Sequence, residues 1–470
     1  FVQDDWKVTP SLTVNLGLRY ELSTLPAESS NLWGNFNPER QKVAVAGDKV
    51  VTGGVPDPFI LQSYQNYLIP ASQTDLPQRT LGYGDHNNFG PRIGVAWRPF
   101  RDNKTVVRGG YGIYYLLEDG NIAFNNTGSI PYGGTVSIVN TTPRPSFTVD
   151  DPFSTGVAAL PAPGASFRDP RMRSPYLQQF SLGVQRELPW SIVAEANFQD
   201  QNSKKLESSW NLNQPAAGAG ALNPRRPFPT FGASIGGTFH EGYSRYNAME
   251  LVLRKQSAHY TFQWSHTWAK AMGRTAVVDP FNRDRFYGPG DFVPHLDKVH
   301  YVLDIPFGSG RRWLNHKGVV NQVLGGWTLS GFAILHQSGV MLTPTWNGDV
   351  ANVGVGEVRP NRVGSGVVSN PTANNWIDPS AFMAPTPLTF GNSGTGIVQG
   401  PRARYFDASI LKNFAIKEGV RLQFRTEFFN AFNHPNLANP NLAVNGLNFG
   451  KILTKNQDPR VIQFALRLEF

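Results

Sequence analysis

The chain contains no cysteine and few charged residues for its length. The absence of cysteine excludes disulfides, thiolate metal sites and cysteine nucleophiles. Charged residues make up 16% of the 470 residues, against roughly 25% in an ordinary globular protein. No apolar run reaches roughly 18 residues, the length of a transmembrane helix, and the mean hydropathy is −0.31. These features argue against a helical membrane protein, and against the two or three soluble domains that the length would otherwise suggest.

Turn-forming and aromatic residues are abundant. The chain has 47 glycines and 36 prolines, and 12% of its residues are aromatic. Glycine and proline in such numbers indicate many turns and few helices. A low mean hydropathy still allows a membrane-spanning β-barrel, because only alternate residues of each strand face lipid.

The net charge is +9, but the basic residues are scattered. The longest basic runs are doublets such as Lys204-Lys205 and Arg311-Arg312. This distribution favours solvated or lumen-facing charges and predicts no nucleic-acid partner.

Apolar and polar residues alternate in many short stretches. In the clearest stretch, Leu12–Glu21, apolar Leu12, Val14, Leu16, Leu18 and Tyr20 alternate with small or polar residues. Such a period of two places one face of a strand in an apolar medium and the other in a polar one. About ten residues also suffice for a tilted strand to cross a bilayer. With the segment at Phe1–Val8, about thirteen such stretches predict an all-β protein.

The connections between these stretches alternate in length. Short links, such as 9–11 and 189–191, alternate with long links at roughly 22–87, 116–175, 200–245, 269–298, 337–404 and 431–459. The 308–326 link is longer than this rule requires. Short turns on one side and long loops on the other predict an antiparallel transmembrane β-barrel with extracellular loops and periplasmic turns.

Four stretches carry a family resemblance: FVQDDWKVTPSLTVNLGLRYE (1–21), NNFGPRIGVAWRPF (87–100), GGWTLSGFAILHQSG (325–339) and RLQFRTEFFNAFNHPN (421–436). They resemble TonB-dependent receptors of the Oar-like subgroup. The C-terminal stretch resembles the signal that the outer-membrane assembly machinery recognises, with apolar residues at alternate positions: Ile462, Phe464, Leu466, Leu468 and Phe470.

The resemblance implies a barrel of 22 strands, of which residues 1–470 would form the C-terminal portion with about 13 strands. The N-terminal plug and the first barrel strands would be absent from this chain. It further implies a Gram-negative outer-membrane receptor or transporter, energised through its plug by the inner-membrane TonB complex. Its partners would be that complex, the assembly machinery, the lipid bilayer and an unknown extracellular ligand.

Several charged residues lie at predicted inward-facing positions. They are Arg92, Arg108, Arg254, Arg421, Arg425, Glu427, Arg467 and Glu469, together with Asp304. One interpretation is a polar lumen against which a plug docks or through which a substrate passes. The other is cross-strand pairing that keeps the lumen polar, and both interpretations can hold.

Three motifs suggest chemistry but fit loops or strands better. GASIG (232–236) matches a nucleophile elbow at Ser234, but prolines precede it and glycines follow it. His295, Asp297 and His300 lack the helical spacing of a zinc site, and the glycines at 391, 394 and 396 lack the lysine of a phosphate loop. We therefore expect no enzyme activity, no catalytic residue, no metal and no cofactor.

Other interpretations of the sequence remain open. Trp33, Trp210, Trp346 and Trp376 lie in or beside long links, where they either contact a ligand or pack among the loops. The chain is alternatively a structural or adhesive surface barrel, a secreted soluble β-protein that binds carbohydrate, or a loop-sited hydrolase using Ser234.

Overall fold

A computed structural model shows the fold. It describes residues 1–50, 62–116, 120, 124, 128–133, 162–232, 234–274, 277–290, 292–308, 311–315, 318–417 and 419–470. The side chains of residues 415 and 417 are not considered below.

Within the described residues, one large antiparallel sheet dominates, and its main path runs through thirteen strands in sequence order. The strands are β1 (Val2–Thr9), β2 (Leu12–Ser23), β3 (Asp85–Trp97), β4 (Thr105–Tyr115), β5 (Tyr176–Leu188), β6 (Ile192–Asn211), β7 (Ile235–Gln256), β8 (Tyr260–Arg274), β9 (His295–Asp304), β10 (Trp327–Gln337), β11 (Ala403–Lys417), β12 (Val420–Phe429) and β13 (Val461–Glu469). Each strand pairs with its neighbours in the chain, so the expectation of an all-β, antiparallel protein is confirmed.

The register keeps most of the apolar residues of the strands on one face, with exceptions such as Val302 and Phe332. Directly paired residues of an antiparallel sheet point to the same side. Such pairs as Tyr20–Phe89 and Phe424–Leu466 carry the alternation from strand to strand. We call this side the apolar face and the opposite side the polar face.

The apolar face is uncovered by other parts of the described chain. Leu182 and Phe464 expose 46% and 69% of their surface, respectively, and many neighbouring apolar side chains are similarly exposed. Apolar side chains exposed over a whole sheet match a lipid environment rather than water.

The two ends of the sheet differ in their connections. At one end, strands are joined by tight links such as 10–11, 189–191 and 257–259, and we call it the short-turn end. The opposite end carries the links 24–84, 116–175, 212–234, 275–294, 338–402 and 430–460, and we call it the long-loop end. The predicted alternation of short and long links is therefore present.

Strands β6 and β7 are longer than their alternation indicates. They have 20 and 22 residues, whereas about 10 are enough to cross a bilayer. The predicted loop 200–245 was therefore wrong in extent, because both strands continue for about ten residues beyond the apolar band. There, the hairpin packs against the long links, with Ile235 fully buried in their core, so a lipid-facing apolar side is no longer required.

The link between β9 and β10 lies at the short-turn end and contains the helix Val319–Leu324. Val319, Val320, Val323 and Leu324 are exposed by 50% to 74%. The indole Nε1 of Trp327 donates to the Val323 carbonyl at 2.9 Å, which holds the helix beside the sheet. This helix accounts for the unexpected length of the link.

Short elements fill the long links. The short strands are Gly34–Asn37, Lys42–Val45, Leu68–Pro70, Ala165–Arg168, Gly288–Pro289, Met341–Leu342, Trp346–Asn347, Glu357–Val358, Asn361–Arg362, Val367–Thr372, Asn375–Ile377, Phe382–Met383 and Val398–Gln399. The 3-10 helices in these links are Gln65–Tyr67, Ala71–Gln73, Asn223–Arg225, Arg283–Phe286 and Pro379–Ala381. A further 3-10 helix, Pro189–Ser191, forms a short link. In the described part of the chain, no helix has the length and apolar character needed to cross a membrane.

Candidate functional site: the loop cap and the polar face

The long links pack together into a folded unit, which we call the loop cap. One core joins the links 24–84, 116–175 and 212–234, and contains the fully buried Phe36, Val43 and Phe231. The Phe36 and Phe231 rings meet edge-on with their centroids 4.9 Å apart. Burial of such rings supplies the apolar stabilisation that loops rarely have.

A second group of cores lies in the link 338–402. Ala351, Val353, Val358 and Phe390 pack with Val278 of the link 275–294. Ile377, Ala381, Phe382 and Val398 pack with residues of the link 430–460. The link 338–402 thus joins its two neighbours.

Hydrogen bonds connect these two halves of the cap. The Asn352 side chain donates to the carbonyls of Gly218 and Gly220 at 2.9 Å each. The Gln214 side chain donates to the Val278 carbonyl at 2.7 Å. The described parts of the long links therefore pack into one continuous unit.

The four tryptophans of the long-link regions pack within the cap. Trp33 and Trp210 are buried, with 4% and 8% exposure, and Trp210 stacks on Phe239 with the ring centroids 3.6 Å apart. Trp346 and Trp376 are half-buried against the cores of the link 338–402. These contacts favour packing among the loops over ligand contact by these tryptophans.

A cavity of about 230 Å³ lies within the cap, between the links 275–294 and 338–402. Its lining includes Phe286, Thr345, Val358, Arg359 and Phe390. Nη1 of Arg359 is buried without a hydrogen-bond partner, while Nη2 donates to Thr395 Oγ1 at a long 3.4 Å.

The electrostatic environment of Arg359 is unusual for an arginine. Burial lowers the pKa of its guanidinium, nearby Glu357 raises it, and Arg285 lowers it further. Arginine nevertheless remains protonated, so the cavity wall carries a partly desolvated positive charge. No local sequence pattern indicates this site, because the residues that line the cavity come from the separate links 275–294 and 338–402.

The register places all nine predicted inward-facing charges on the polar face. Among them, Asp304 Oδ2 lies 2.7 Å from Arg311 Nη2. Arg254 Nη2 lies 2.8 Å from Glu195 Oε1, and Arg425 Nη1 lies 3.4 Å from Glu427 Oε1. Glu469 pairs with Arg421, and its Oε1 lies 3.3 Å from Arg467 Nε. These ion pairs are distributed along the face rather than gathered into one site.

The remaining two predicted charges have neutral partners. Arg108 Nη1 donates to Gln185 Oε1 at 3.2 Å. The guanidinium of Arg92 lies 4.5 Å from the centroid of the Tyr114 ring. Partners on the same or the neighbouring strand thus surround these charges on the polar face, and whether this face borders a lumen stays a prediction.

The alternating residues of the predicted assembly signal lie at one edge of the sheet. Ile462, Phe464, Leu466 and Leu468 are exposed along the apolar face of β13, and Phe470 follows the strand. Their recognition by an assembly machinery remains a prediction.

The motifs with possible chemistry occupy ordinary strand and loop positions. Ser234 directly precedes β7, so it does not sit between a strand and a helix as a nucleophile elbow requires. Oδ1 of Asp297 lies within hydrogen-bond distance of His266 Nδ1, at 2.8 Å. His300 lies on the opposite face of β9. Among the described residues, no group of three potential metal-ligating side chains is close enough to hold an ion.

Comparison with known proteins identifies the class. Residues 1–463 match the family model described as an outer membrane beta barrel domain. The chain belongs to this family, and the thirteen-strand sheet with its apolar face is the wall of an outer-membrane β-barrel. The expected location in the outer membrane is confirmed, and a secreted soluble protein is excluded. A comparison with curated proteins gives no match.

Solved outer-membrane proteins have similar folds at low sequence identity. The outer membrane transporter YddB from Escherichia coli is 10% identical, with a TM-score of 0.43. The match covers 82% of this chain and 41% of that transporter. The ferripyoverdine receptor of Pseudomonas aeruginosa is 10% identical, with a TM-score of 0.45. The match covers 99% of this chain and 37% of that receptor. The FrpB iron transporter from Neisseria meningitidis is 9% identical, with a TM-score of 0.41. The match covers 99% of this chain and 54% of that transporter. The present chain therefore spans about half or less of the length of these proteins.

Proposed function

We propose that this chain forms the wall and the loop cap of a TonB-dependent receptor of the Oar-like subgroup. The loop cap binds a ligand outside the cell, and the ligand passes inward along the polar face. Energy comes from the inner-membrane TonB complex through an N-terminal plug, which we place in a longer protein containing this chain.

The observation that carries this proposal is the separation of three surfaces on one sheet. An apolar face fits lipid, a polar face carries paired charges, and a folded cap closes over one end. Any membrane-spanning barrel needs the apolar and the polar face, whereas a folded cap over one end adds a surface on which a ligand can bind. The outer-membrane barrel family supports the same proposal.

We also propose that the protein holds and passes its ligand without transforming it. Ser234 at the start of β7 lacks the frame of a nucleophile elbow. Accordingly, replacing it with alanine should leave any hydrolase activity of the purified protein unchanged. A loss of activity in Ser234→Ala, with the fold intact, would argue for the enzyme alternative.

The uptake proposal is tested by comparing what cells remove from their medium. Wild-type cells, cells lacking this protein and cells lacking TonB are grown in the same medium, and the depletion of small molecules is measured by mass spectrometry. We expect at least one compound that only wild-type cells deplete. If loss of the protein alters cell attachment but not depletion, the adhesive alternative is correct.

A further inference from the structure

The cavity around Arg359 combines a cation that has an unpaired hydrogen-bond donor with mostly apolar walls. Nη1 of Arg359 is buried and unpartnered, and the Nη2 bond to Thr395 is long. A buried donor without an acceptor costs free energy comparable to a lost hydrogen bond. An arginine in this state is poised to accept an anionic partner, since its planar guanidinium matches a carboxylate in a two-bond geometry.

Neighbouring arginines in the cap do not share this condition. Arg285 donates to the Gly391 carbonyl, and its Nη1 lies 4.0 Å from Asp279 Oδ2. Arg362 donates to the carbonyls of Gly364 and Ser365 at 2.7 and 3.1 Å. Arg359 is thus distinguished by both its place in the cavity wall and its unused donor.

The other residues of the cavity wall limit the kind of chemical group to which the anion is attached. The rings of Phe286 and Phe390 and the side chains of Val278 and Val358 are apolar, Thr343 and Thr345 add hydroxyls, and the solvent-exposed Glu357 adds a carboxylate. A cavity of about 150 Å³ with apolar walls accommodates a benzene-sized molecule. The larger volume here, about 230 Å³, accommodates a molecule of that size together with a short substituent that ends in an acidic group.

We propose that this cavity binds a carboxylate attached to a small apolar or aromatic body, with Arg359 holding the carboxylate. The source of the carboxylate is either a free organic acid or the C-terminal end of a peptide. This inference rests on the proposed receptor function, because it names the class of ligand that the loop cap recognises.

Binding is measured by isothermal titration calorimetry with the protein purified from outer membranes in detergent micelles. The probes are 3-phenylpropanoate and its neutral analogue 3-phenylpropanamide, followed by the peptide Gly-Gly-Phe with a free or an amidated C-terminus. We expect the free acids to bind at least about tenfold more tightly than the amides, since the charged hydrogen bonds are lost in the amides. A preference for Gly-Gly-Phe over 3-phenylpropanoate would identify a peptide end as the source, and the reverse would identify a free acid.

Two variants assign the preference to the cavity. Arg359→Met keeps an unbranched, flexible side chain and removes the guanidinium and its charge, so it should abolish the preference for acids. Arg362→Met is the matched control from the same link and should leave it unchanged. Equal binding of acids and amides by the wild-type protein overturns the proposal even if Arg359→Met fails to fold.

Failure of this inference and failure of the receptor function give different results. Equal or absent probe binding, together with TonB-dependent depletion of some compound, would reject the carboxylate site alone. Absence of TonB-dependent depletion would reject the receptor function regardless of probe binding.

Discussion

Buried asparagines determine how the long loops fit together. Asn35 and Asn213 have no exposed surface, and Asn436 has 1%. Loops lack the regular ladders that satisfy backbone groups in strands, and an asparagine amide provides both donors and an acceptor. Asn35 donates to the Arg168 carbonyl at 2.8 Å and accepts from the Arg168 N–H at 2.8 Å, which joins two links.

Replacing Asn35 should therefore destabilise the cap. Asn35→Ala leaves both backbone groups of Arg168 without this partner, at a cost of about 1–3 kcal/mol. We expect faster cleavage of the long loops by protease in the variant, measured by digestion of vesicle-inserted protein. The exposed Asn448→Ala is the control. Equal cleavage of the two variants would contradict the role given to Asn35.

Glu28 contributes a pH-dependent contact in the link 24–84. The pKa of its carboxyl is lowered mainly by the hydrogen bond from the Leu32 N–H, which is 2.6 Å long. A lowered pKa means that the folded state favours the ionised form, so this contact stabilises the loop above the usual pKa and is lost as pH falls through the lowered value. Hydrogen exchange of residues 28–32 should accelerate, relative to the intrinsic rate, in acid but not at neutral pH. Glu28→Gln should remove this pH dependence.

Because apolar and polar residues alternate within each strand, its two faces differ in the substitutions that they tolerate. Leu182 lies on the apolar face of β5, and its neighbour Ser181 lies on the polar face. Lipid surrounds the former in the folded protein, whereas the latter faces other polar side chains. The same substitution at adjacent positions should consequently have very different effects.

Arginine at these two positions tests this assignment. Leu182→Arg should reduce the free energy of unfolding by about 2–4 kcal/mol, the usual range for a cation near the bilayer midplane. Ser181→Arg should change it little. The measurement is equilibrium unfolding in urea from lipid vesicles, and a reversed order of the two variants would show that the faces are assigned the wrong way round.

The helix Val319–Leu324 presents its apolar residues on one side, next to the apolar face of the sheet. Continuity with that face places these residues at the bilayer surface on the short-turn side. Because the chain has no cysteine, Val320→Cys and Gln322→Cys each carry a single fluorescent label. We expect quenching by lipid-borne quenchers at position 320 and weak quenching at 322, and equal quenching would contradict the placement.

At the scale of the whole molecule, the cap and the short turns lie at opposite ends of the sheet. The proposed function places the cap outside the cell. Leu447, in the cap, is 96% exposed, and Asn103 is exposed in the short link between β3 and β4.

This orientation is tested with a membrane-impermeant maleimide on intact cells. Leu447→Cys should be labelled and Asn103→Cys should not, while both should react after the cells are lysed. Labelling of only Asn103→Cys on intact cells would invert the orientation and remove the basis for ligand capture by the cap.

The sequence allowed the barrel strands to be predicted but not the cap. In the bilayer the two faces meet different solvents, so residues such as Leu12 and Thr13 must alternate. Beyond the bilayer, β6 and β7 pack against the loop cap instead of lipid, and the polar stretch around Lys204 and Lys205 has no alternation. Arg359 was not predicted, because its neighbours in the cavity come from the links 275–294 and 338–402, and such packing leaves no local pattern.

The simple order of the strands has a consequence for folding. Every strand of the main path pairs with the next in the chain, so the hairpins closed by short turns form with low contact order. The link 24–84 is about five doublings longer than the two-residue link 10–11, which adds about 3 kcal/mol of loop-closure entropy. Hairpins joined by short turns should therefore form first, and assembly should proceed by docking these hairpins in pairs rather than strand by strand.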